Sequence, residues 1–408
     1  MGVERLRRVL RRGLVIVCLL TFLAGCIDMS FLAPREPVTI RFVSFGDSGY
    51  FERLAEEFQR KNKYITVEFV GGRSMFFSQE PEYDVLLLNH QMMPYLMEQQ
   101  PLLELNPLIS EDEDFALDDF YHSPVEAMSF EGRRFGIPYM ADMIVMYYNK
   151  DIFDRHNVPY PTVDWTWNDF LERALPLSDP AAGRFGFAYH QMGSMGSIEP
   201  MAMIYQHGGQ LFDDLLDPSM ITINAPQNER ALQFYADLIH RHHVAPGPGE
   251  RQIPFPDEGI EDGNYAMWMG YLSDEWEDLN VGVAPLPRGQ QAMTFGSIIG
   301  FAISARSENP QASWEWIKFL SEQPPPGLMP ARRSVAESDA MANILDSESL
   351  AAAQASLPNL ASLPVNVQGE LGEQWGIVMQ ALSGAIAAIQ NGDPVGPALN
   401  AAQEKIDR

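Results

Sequence analysis

The stretch Asp84-Val85-Leu86-Leu87-Leu88 is a short, unbroken apolar run that follows one acidic residue. Such a run is typical of a strand buried on both faces of a parallel sheet. Residues 38–44 and 65–70 lie upstream and alternate between apolar and polar, as half-buried strands do. From Tyr50 onward the apolar spacing becomes helical. Strands that alternate with a helix predict an α/β layered fold, in which ligands bind beyond the carboxyl ends of the strands.

The predicted helix after the first strand carries one apolar stripe, formed by Phe51, Leu54, Ala55 and Phe58. Asp47 or Ser48 lies where a side chain caps the first turn of such a helix. The helix is therefore expected to begin close to these two residues and to pack on the sheet through its stripe.

The N-terminus has the parts of a lipoprotein export signal. Five arginines lie between Arg5 and Arg12, an apolar run extends from residue 14 to residue 23, and Leu23-Ala24-Gly25-Cys26 closes the segment. The run is too short to span a bilayer, which takes about 20 apolar residues. We expect residues 1–25 to be a cleaved lipoprotein signal peptide, Cys26 to carry lipid, and residues 26–37 to tether the protein outside the cell membrane. An ordinary signal peptide or a short N-terminal anchor is the alternative.

Cysteine content and charge exclude several classes of protein. The chain has two cysteines, Cys18 and Cys26, and the first falls in the predicted signal. The mature chain therefore has no disulfide and no thiolate zinc site. A formal net charge of −27 repels phosphate backbones, which excludes nucleic acid as a partner. The acidic run at residues 111–114 reads as a solvated loop, because no calcium-binding loop pattern accompanies it.

Known catalytic and metal-binding motifs are absent from the sequence. There is no His-Glu-x-x-His, Gly-x-Ser-x-Gly or phosphate-binding glycine loop. His240, His242 and His243 cluster at the end of a predicted helix, where positive charge is favoured, and their spacing is not that of a metal pair. We predict no catalytic residue, no cofactor and no metal. The many carboxylates leave open a glycosidase pair, which sequence alone does not exclude.

A set of short motifs resembles one family. Along the chain they are Gly136-Ile137-Pro138, Met146-Tyr147-Tyr148-Asn149-Lys150-Asp151-Ile152-Phe153, Thr166-Trp167-Asn168-Asp169-Phe170, Gly208-Gly209, Val283-Ala284-Pro285-Leu286-Pro287 and Ala398-Leu399-Asn400-Ala401-Ala402-Gln403. Taken in order, they resemble the extracellular solute-binding proteins of family 1, the maltose-binding-protein-like receptors of ABC importers. The resemblance covers essentially the whole mature chain, except that residues 71–82 are too short for the helix that the family usually has there.

The resemblance implies a type II periplasmic-binding-protein fold of class α/β, with two lobes and a ligand cleft between them. Lobe 1 would comprise residues 38–139 plus 285–330, and lobe 2 residues 140–284 plus 331–408. The chain would cross between the lobes near residues 137–142, 283–287 and 328–334, and ligand binding would close the lobes at this hinge.

The resemblance also implies a function. The protein would be a monomeric, lipid-anchored receptor that binds a carbohydrate and delivers it to the permease subunits of an ABC transporter. The same scaffold with a polyol phosphate, a polyamine or an iron chelate is the main alternative. An extracellular glycoside-acting enzyme or a structural lipoprotein is a further one.

Sugars expose apolar C–H faces edged by hydroxyls, so their receptors combine aromatic rings with planar amides and carboxylates. On the family pattern, lobe 1 and the first crossing supply Phe45, Asp47, Ser48, Asn89, Gln91, Tyr139 and Asp142. Lobe 2 supplies Gln191, Trp268, Tyr271 and Trp375. Trp375 takes the place of a stacking tryptophan in that pattern, and a core position is the alternative for it.

The adjacent residues Tyr147 and Tyr148 require a separate interpretation, because paired tyrosines hold ferric iron in some related receptors. They lie in a predicted strand, and strand alternation sends one ring to each face of the sheet. We therefore expect both rings to pack in the core.

The export-signal interpretation yields a direct test. Replacing Cys26 by Ala removes the thiol that would carry the lipid, so a Cys26→Ala variant is expected to lose all label when the bacterial host is fed a radioactive fatty acid. Equal label on wild type and variant would show that Cys26 is not the lipidated residue.

Overall fold

The computed structural model describes residues 36–44, 48–70, 83–99, 101–130, 132–190, 193–212, 220–248, 250, 257–362 and 370–407. Side chains are not described at residues 48, 193–195, 257–258, 362 and 370–374. The predicted export signal with Cys26, most of the tether and the short segment 71–82 lie outside these ranges.

The described strands are β1 (Val38–Val43), β2 (Ile65–Phe69), β3 (Val85–Asn89), β4 (Ser129–Phe130), β5 (Arg133–Arg134), β6 (Gly136–Asn149), β7 (Met267–Tyr271), β8 (Val281–Ala284), β9 (Thr294–Ile303), β10 (Met329–Pro330) and β11 (Leu360–Ser362). The described α-helices are α1 (Ser48–Lys61), α2 (Met93–Gln99), α3 (Asn106–Glu111), α4 (His122–Ala127), α5 (Lys150–His156), α6 (Trp167–Ala174), α7 (Gly193–Gln206), α8 (Pro226–His240), α9 (Asp257–Glu261), α10 (Pro310–Ser321), α11 (Arg333–Ala336), α12 (Ser347–Ser356), α13 (Glu370–Gln390) and α14 (Val395–Ile406).

Local sequence explains how several of these elements begin. β6 ends at Asn149, whose side chain accepts from the Ile152 N–H and so caps α5. Thr166 and Asp169 form a reciprocal capping box at the start of α6. α1 begins at Ser48, as its predicted cap position requires, and Phe51, Ala55 and Phe58 are buried. The predicted strands around β1, β2 and β3 and the helix α1 are thus confirmed.

One sheet carries the fold. Its strands follow the order β10-β6-β9-β3-β1-β2, and β7 and β8 pair with β6 while β11 pairs with β9. β1 is parallel to β2 and to β3, and β9 is antiparallel to β3 and to β6. β6 is 14 residues long and connects the two halves of this sheet: its first half pairs with β9, and its second half pairs with β7 and β8. The two-lobed α/β prediction is confirmed by this arrangement together with the structural likenesses reported below.

Three apolar clusters fill the space between the sheet and the helices. One packs Phe42, Phe51 and Phe58 around Trp316 on the side of β1, and another packs α7, α8 and α13 against the far half of β6. The third lies along the middle of β6 and includes Tyr147. Tyr147 and Tyr148 therefore enter different clusters, which confirms that both rings pack in the core.

Residues 285–293 make their contacts beside α6 and α7. The Pro285 carbonyl accepts from the Trp165 indole, and the Met293 carbonyl accepts from the Gln206 amide. Trp165 precedes α6 and Gln206 ends α7, and both helices pack on the far half of β6. The segment then continues as β9, which runs back to β3.

The third predicted crossing is fastened by an acidic residue. Asp119 accepts from Arg332 Nε at 2.7 Å, from the Ser334 N–H at 3.0 Å and from Ser334 Oγ at 2.5 Å. Burial opposes ionisation, but the hydrogen bonds from Ser334 and Arg332 outweigh it and hold the pKa of Asp119 below its usual value. The segment after β10 is thereby tied to the turn before α4.

Two further properties follow from the described residues. Across that part of the chain, no helix has both the length and the apolar character needed to cross a bilayer. Within the same ranges, no group of three or more histidine, cysteine, aspartate or glutamate side chains could hold a metal ion.

Asp119→Asn should weaken this fastening. The Asp119 side chain is 23% exposed, and losing its charge-assisted bond to Arg332 is expected to lower the free energy of unfolding by about 2 kcal/mol at pH 7. Because the folded pKa is depressed, this contribution is full above the unfolded pKa of about 4 and is lost as pH falls through the folded value. Urea melts of wild type and variant should therefore differ at pH 7 and converge once the pH falls below the depressed folded pKa of Asp119.

Asp118→Asn is the matched control, since the exposed Asp118 contributes its backbone carbonyl, and not its side chain, to the bond from Arg333. If the two variants melted alike at pH 7, Asp119 would not fasten this segment.

Candidate functional site

The central strands expose very few side chains. β6 is buried throughout its length except at Asp142. β3 is buried except at Asn89, and β7 is buried except at Tyr271. β9 is buried except at Ser297 and Ile299. We call these five residues the exposed row.

Strand register brings the members of the exposed row together. Asn89 lies opposite Ile299 in the β3–β9 pair, and Asp142 lies opposite Ser297 in the β9–β6 pair. Opposite residues in an antiparallel pair share one face, with Cβ atoms about 5 Å apart. Ser297 and Ile299 are two residues apart on β9, so they share that face as well. The row therefore runs from β3 through β9 to β6, and Tyr271 on β7 joins it because it lies opposite Ile144, two residues after Asp142.

Asp142 is the charged member of the row. Its carboxylate accepts from Ser273 Oγ at 2.6 Å and from the Ser273 N–H at 3.2 Å. Burial raises the pKa of Asp142, and the neighbouring charge of Asp274 adds to this, although the bonds from Ser273 oppose it. The Leu272 N–H donates to the Met143 carbonyl, which holds the turn that carries Ser273 against β6. Asp142 thus presents a fixed carboxylate at the surface.

Tyr271 supplies an aromatic ring beside this carboxylate. Its N–H donates to Asp274 Oδ2 at 2.8 Å, and its carbonyl accepts from the Tyr147 hydroxyl at 2.7 Å. Burial, followed by the charges of Asp142 and Asp274, raises the pKa of Tyr271. The phenol of Tyr271 is therefore neutral. Two hydrogen bonds hold the backbone of this residue in place.

Asn89 and Gln91 lie at the other end of the row. Asn89 Oδ1 accepts from the Gln91 N–H at 3.0 Å, which starts a turn of 3₁₀-helix over His90–Met92. Between them His90 is buried, and its Nδ1 accepts from the Ile298 N–H at 3.1 Å. This bond ties the turn after β3 to β9, and both Asn89 and Gln91 remain partly exposed.

Trp268 requires a correction. It has no exposed surface, and its ring stacks on Tyr147 at 6.0 Å between centroids and meets Trp276 at 5.1 Å. Trp268 and Tyr271 are an odd number of residues apart on one strand, so their side chains leave opposite faces of the sheet. With Tyr271 in the exposed row, Trp268 belongs to the core.

Tyr139 is corrected in the same way. It lies at the irregularity in the β6–β9 register between Pro138 and Met140, and its ring packs on Phe301 with centroids 4.9 Å apart. Its hydroxyl bonds to that of Tyr50 at 2.8 Å. Burial raises its pKa well above the usual value, so the group is a neutral core tyrosine and not a member of the row.

Trp375 is 5% exposed, and Phe212 covers its ring with centroids 4.3 Å apart and planes 33° apart. This packing agrees with the core alternative, and its role as a stacking residue stays a prediction. Phe45, Asp47 and Gln191 lie outside the described residues, and the side chain of Ser48, where α1 begins, is not described.

A buried pair that sequence reasoning missed lies at the same edge of the sheet. Glu199 on α7 is fully buried, and its carboxylate accepts from His190 Nδ1 at 2.6 Å and from the His190 N–H at 2.9 Å. Ala188 pairs in parallel with Trp268, so the chain reaches His190 at the edge where β7 reaches Tyr271. Neighbouring strands are about 4.8 Å apart. Glu199 therefore fixes a partly exposed imidazole one strand away from Tyr271.

The row combines a carboxylate, an amide, hydroxyls and an aromatic ring. Among its five described members there is no lysine or arginine. Fixed acceptors beside a ring suit a ligand that donates several hydrogen bonds from a partly apolar body. Ser273 and Ser297 were not singled out by the sequence, because nothing local marks one serine as lying opposite Asp142.

The fold is that of a two-lobed binding protein, and the exposed row is the candidate site where the two halves of the sheet meet. The profile of the bacterial extracellular solute-binding protein family matches residues 44–324, more than half of the chain, and the chain belongs to this family.

Curated relatives are similar over part of their length. The mannitol-binding protein of Pseudomonas aeruginosa is 25% identical over 71% of this chain and 66% of its own length. The arabinooligosaccharide-binding protein of Halalkalibacterium halodurans is 28% identical over 43% of this chain and 40% of its own. The chain thus spans less than two thirds of these two relatives.

Solved structures show the same fold. The cyclic alpha-maltosyl-1,6-maltose binding protein of Arthrobacter globiformis superposes with a TM-score of 0.74 at 16% identity, over 91% of this chain and 98% of its own. UgpB from Mycobacterium tuberculosis in complex with glycerophosphocholine superposes with a TM-score of 0.66 at 19% identity, over 91% and 98%. These likenesses concern the fold.

The free energy of unfolding tests the two assignments on β7, which are Trp268 in the core and Tyr271 in the exposed row. Trp268→Ala should lower the free energy of unfolding by about 3 kcal/mol or more, because it empties a buried indole site. Tyr271→Phe keeps the ring and should cost less than about 1 kcal/mol. Urea melts of both variants check this expectation. A Trp268→Ala protein as stable as wild type would show that Trp268 is not a core residue.

Proposed function

We propose that this protein is the solute receptor of an ABC importer and that it binds a carbohydrate or polyol at the exposed row. The observation that carries the proposal is the convergence of Asn89, Ser297, Asp142 and Tyr271 on one face where the two halves of the sheet meet. The family supports a receptor role, and the mannitol- and oligosaccharide-binding relatives support the solute class.

The chemistry of the row favours a neutral, hydroxyl-rich solute. A carboxylate accepts two hydroxyl donors in a plane, and a tyrosine ring covers the C–H face of a sugar. The fixed position of Asp142, held by Ser273, reduces the ordering cost of binding. Glu199 supports the same wall of the site, because it holds the backbone and the ring of His190 together.

A polyol phosphate is the second candidate, because the glycerophosphocholine complex of UgpB shares the fold. The Asp142 carboxylate repels a phosphate, and the row contains no described cation to offset that charge. Polyamine and iron-chelate binding remain weaker alternatives. We propose binding without turnover, since a receptor of this family needs no chemical step.

We further propose that the lobes close on the solute about segments that cross between them. The first crossing is at β6 near Asp142 and the third follows β10, close to the positions expected from the sequence. The contacts of residues 285–293 with Trp165 and Gln206 favour placing the second crossing at β9, about ten residues later than expected. Export, lipid anchoring through Cys26, a monomeric state and a permease partner complete the proposal.

Asp142→Asn tests the site. Calorimetric titration of the purified full-length chain with mannitol, maltose-type and arabinose-type oligosaccharides, glycerol 3-phosphate, spermidine and ferric citrate should identify one neutral polyhydroxylated ligand. Asp142→Asn keeps the shape but removes the charged acceptor, which contributes about 1.5–3 kcal/mol to such a bond. The dissociation constant is therefore expected to rise roughly ten- to hundredfold.

Asp262→Asn, at an exposed position outside the row, is the matched control and should bind as wild type does. Selective binding of glycerol 3-phosphate, or unchanged sugar affinity of Asp142→Asn with an unchanged melting temperature, would overturn the carbohydrate assignment at the row.

A further inference from the structure

A second concave site lies at the far end of β6. A cavity of about 260 Å³ is bounded by residues 160–163, residues 283–285 and the first turns of α12, with Tyr148 at its floor. Tyr148 follows Asp142 by six residues on the same strand, so the cavity is about 20 Å from Asp142.

The cavity walls are aromatic and aliphatic. The rings of Tyr148 and Tyr160 are 5.3 Å apart and inclined at 46°, and Phe153 supports both from behind. Val163 at the rim is 58% exposed, which is unusual for a large apolar side chain in this protein. Surfaces of this kind hold methyl and methylene groups of a ligand out of water.

Both tyrosine hydroxyls donate to carboxylates. Tyr148 donates to Glu348 Oε2 at 3.1 Å, and Tyr160 donates to Asp154 Oδ1 at 2.7 Å. A phenol that donates to an anion becomes more electron-rich, which makes the face of its ring more negative. Glu348 is held in place at the cavity wall, because Lys150 Nζ lies 2.9 Å from it and the Val283 N–H donates to it at 3.3 Å.

The electrostatic surroundings are negative. Asp151, Asp154, Asp346 and Glu348 lie around the two tyrosines, and Lys150 offsets one of these charges. The hydrogen bond to Asp154, then burial, then the charges of Asp154, Glu348 and Asp151 raise the pKa of Tyr160 to about 12. Burial and then the charge of Glu348 raise the pKa of Tyr148 as well.

We propose that this cavity is a ligand site, separate from the exposed row, that binds a small organic cation, namely a protonated or quaternary amine with apolar substituents. The rings and the surrounding carboxylates attract the positive charge, and the apolar walls bury the substituents. An anion is repelled by the same carboxylates. A compact metal ion is disfavoured, because the described residues offer no group of three or more suitable side chains.

Choline and its neutral isostere 3,3-dimethylbutan-1-ol form the test pair, because they match in shape and differ in charge. Ligand-observed NMR titration of the purified full-length chain should show choline binding at least tenfold more tightly than the isostere. Equal affinity for the two would mean that the cavity recognises apolar shape alone, and it would overturn the proposal.

Two variants assign the binding to this cavity. Tyr160→Leu keeps apolar volume but removes the aromatic face, and Glu348→Gln keeps shape but removes the charge. Each should weaken choline at least threefold. Tyr95→Leu on α2 and Glu52→Gln on α1 are the matched controls, since both residues lie in the other half of the molecule, and each should leave choline affinity unchanged.

The proposal is independent of the function proposed for the row. Tyr160→Leu and Glu348→Gln are expected to bind the solute of the row as wild type does, and Asp142→Asn is expected to bind choline as wild type does. Loss of choline binding in Asp142→Asn, or unchanged choline affinity in both cavity variants, would place the cation elsewhere and refute this assignment.

Discussion

The structure depends on the pairing of β6 with its neighbours. β6 pairs with β9 up to Met143 and with β7 and β8 from Ile144 onward, so one strand belongs to both halves of the sheet. Because the strand is buried along its length, a side chain reaches the surface where the pairing partner changes, and Asp142 is that side chain. Gly296 makes the passage possible, since a Cβ there would overlap the Asp142 carbonyl oxygen. Backbone packing thus decides where the carboxylate lies.

Carboxylates that are fully or partly withdrawn from water in this acidic protein are stabilised by local donors. An ionised carboxylate removed from water is costly unless hydrogen bonds replace the lost hydration. Asp142 receives two bonds from Ser273, and Glu199 receives two from His190. In each pair both bonds come from one residue, which fixes the orientation of a side chain as well as its charge. Orientation fixed before binding is what a receptor needs in order to discriminate among solutes of similar size.

Local patterns predicted the elements, whereas the candidate site residues came from the family pattern. β1, β2, β3 and α1 follow from periodicity alone, and Asn89, Asp142 and Tyr271, which the resemblance implied, lie in the exposed row. The prediction for Trp268 was wrong because the family pattern does not indicate on which face of the strand a side chain lies. Alternation from Tyr271 places Trp268 in the core. Ser297 and Ser273 join Asp142 through the β6–β9 register and the turn after β7, and no local pattern specifies either.

At the two ends of β6, carboxylates and hydroxyl groups exchange roles as the surface group and the group that orients it. At Asp142 the carboxylate is the surface group, and a serine orients it. At Tyr148 the carboxylate of Glu348 orients a tyrosine ring. A separation of about 20 Å exceeds the Debye length of about 8 Å at physiological ionic strength, so the charges at one end scarcely influence the other. Binding at one end of β6 is therefore expected to leave binding at the other end unchanged.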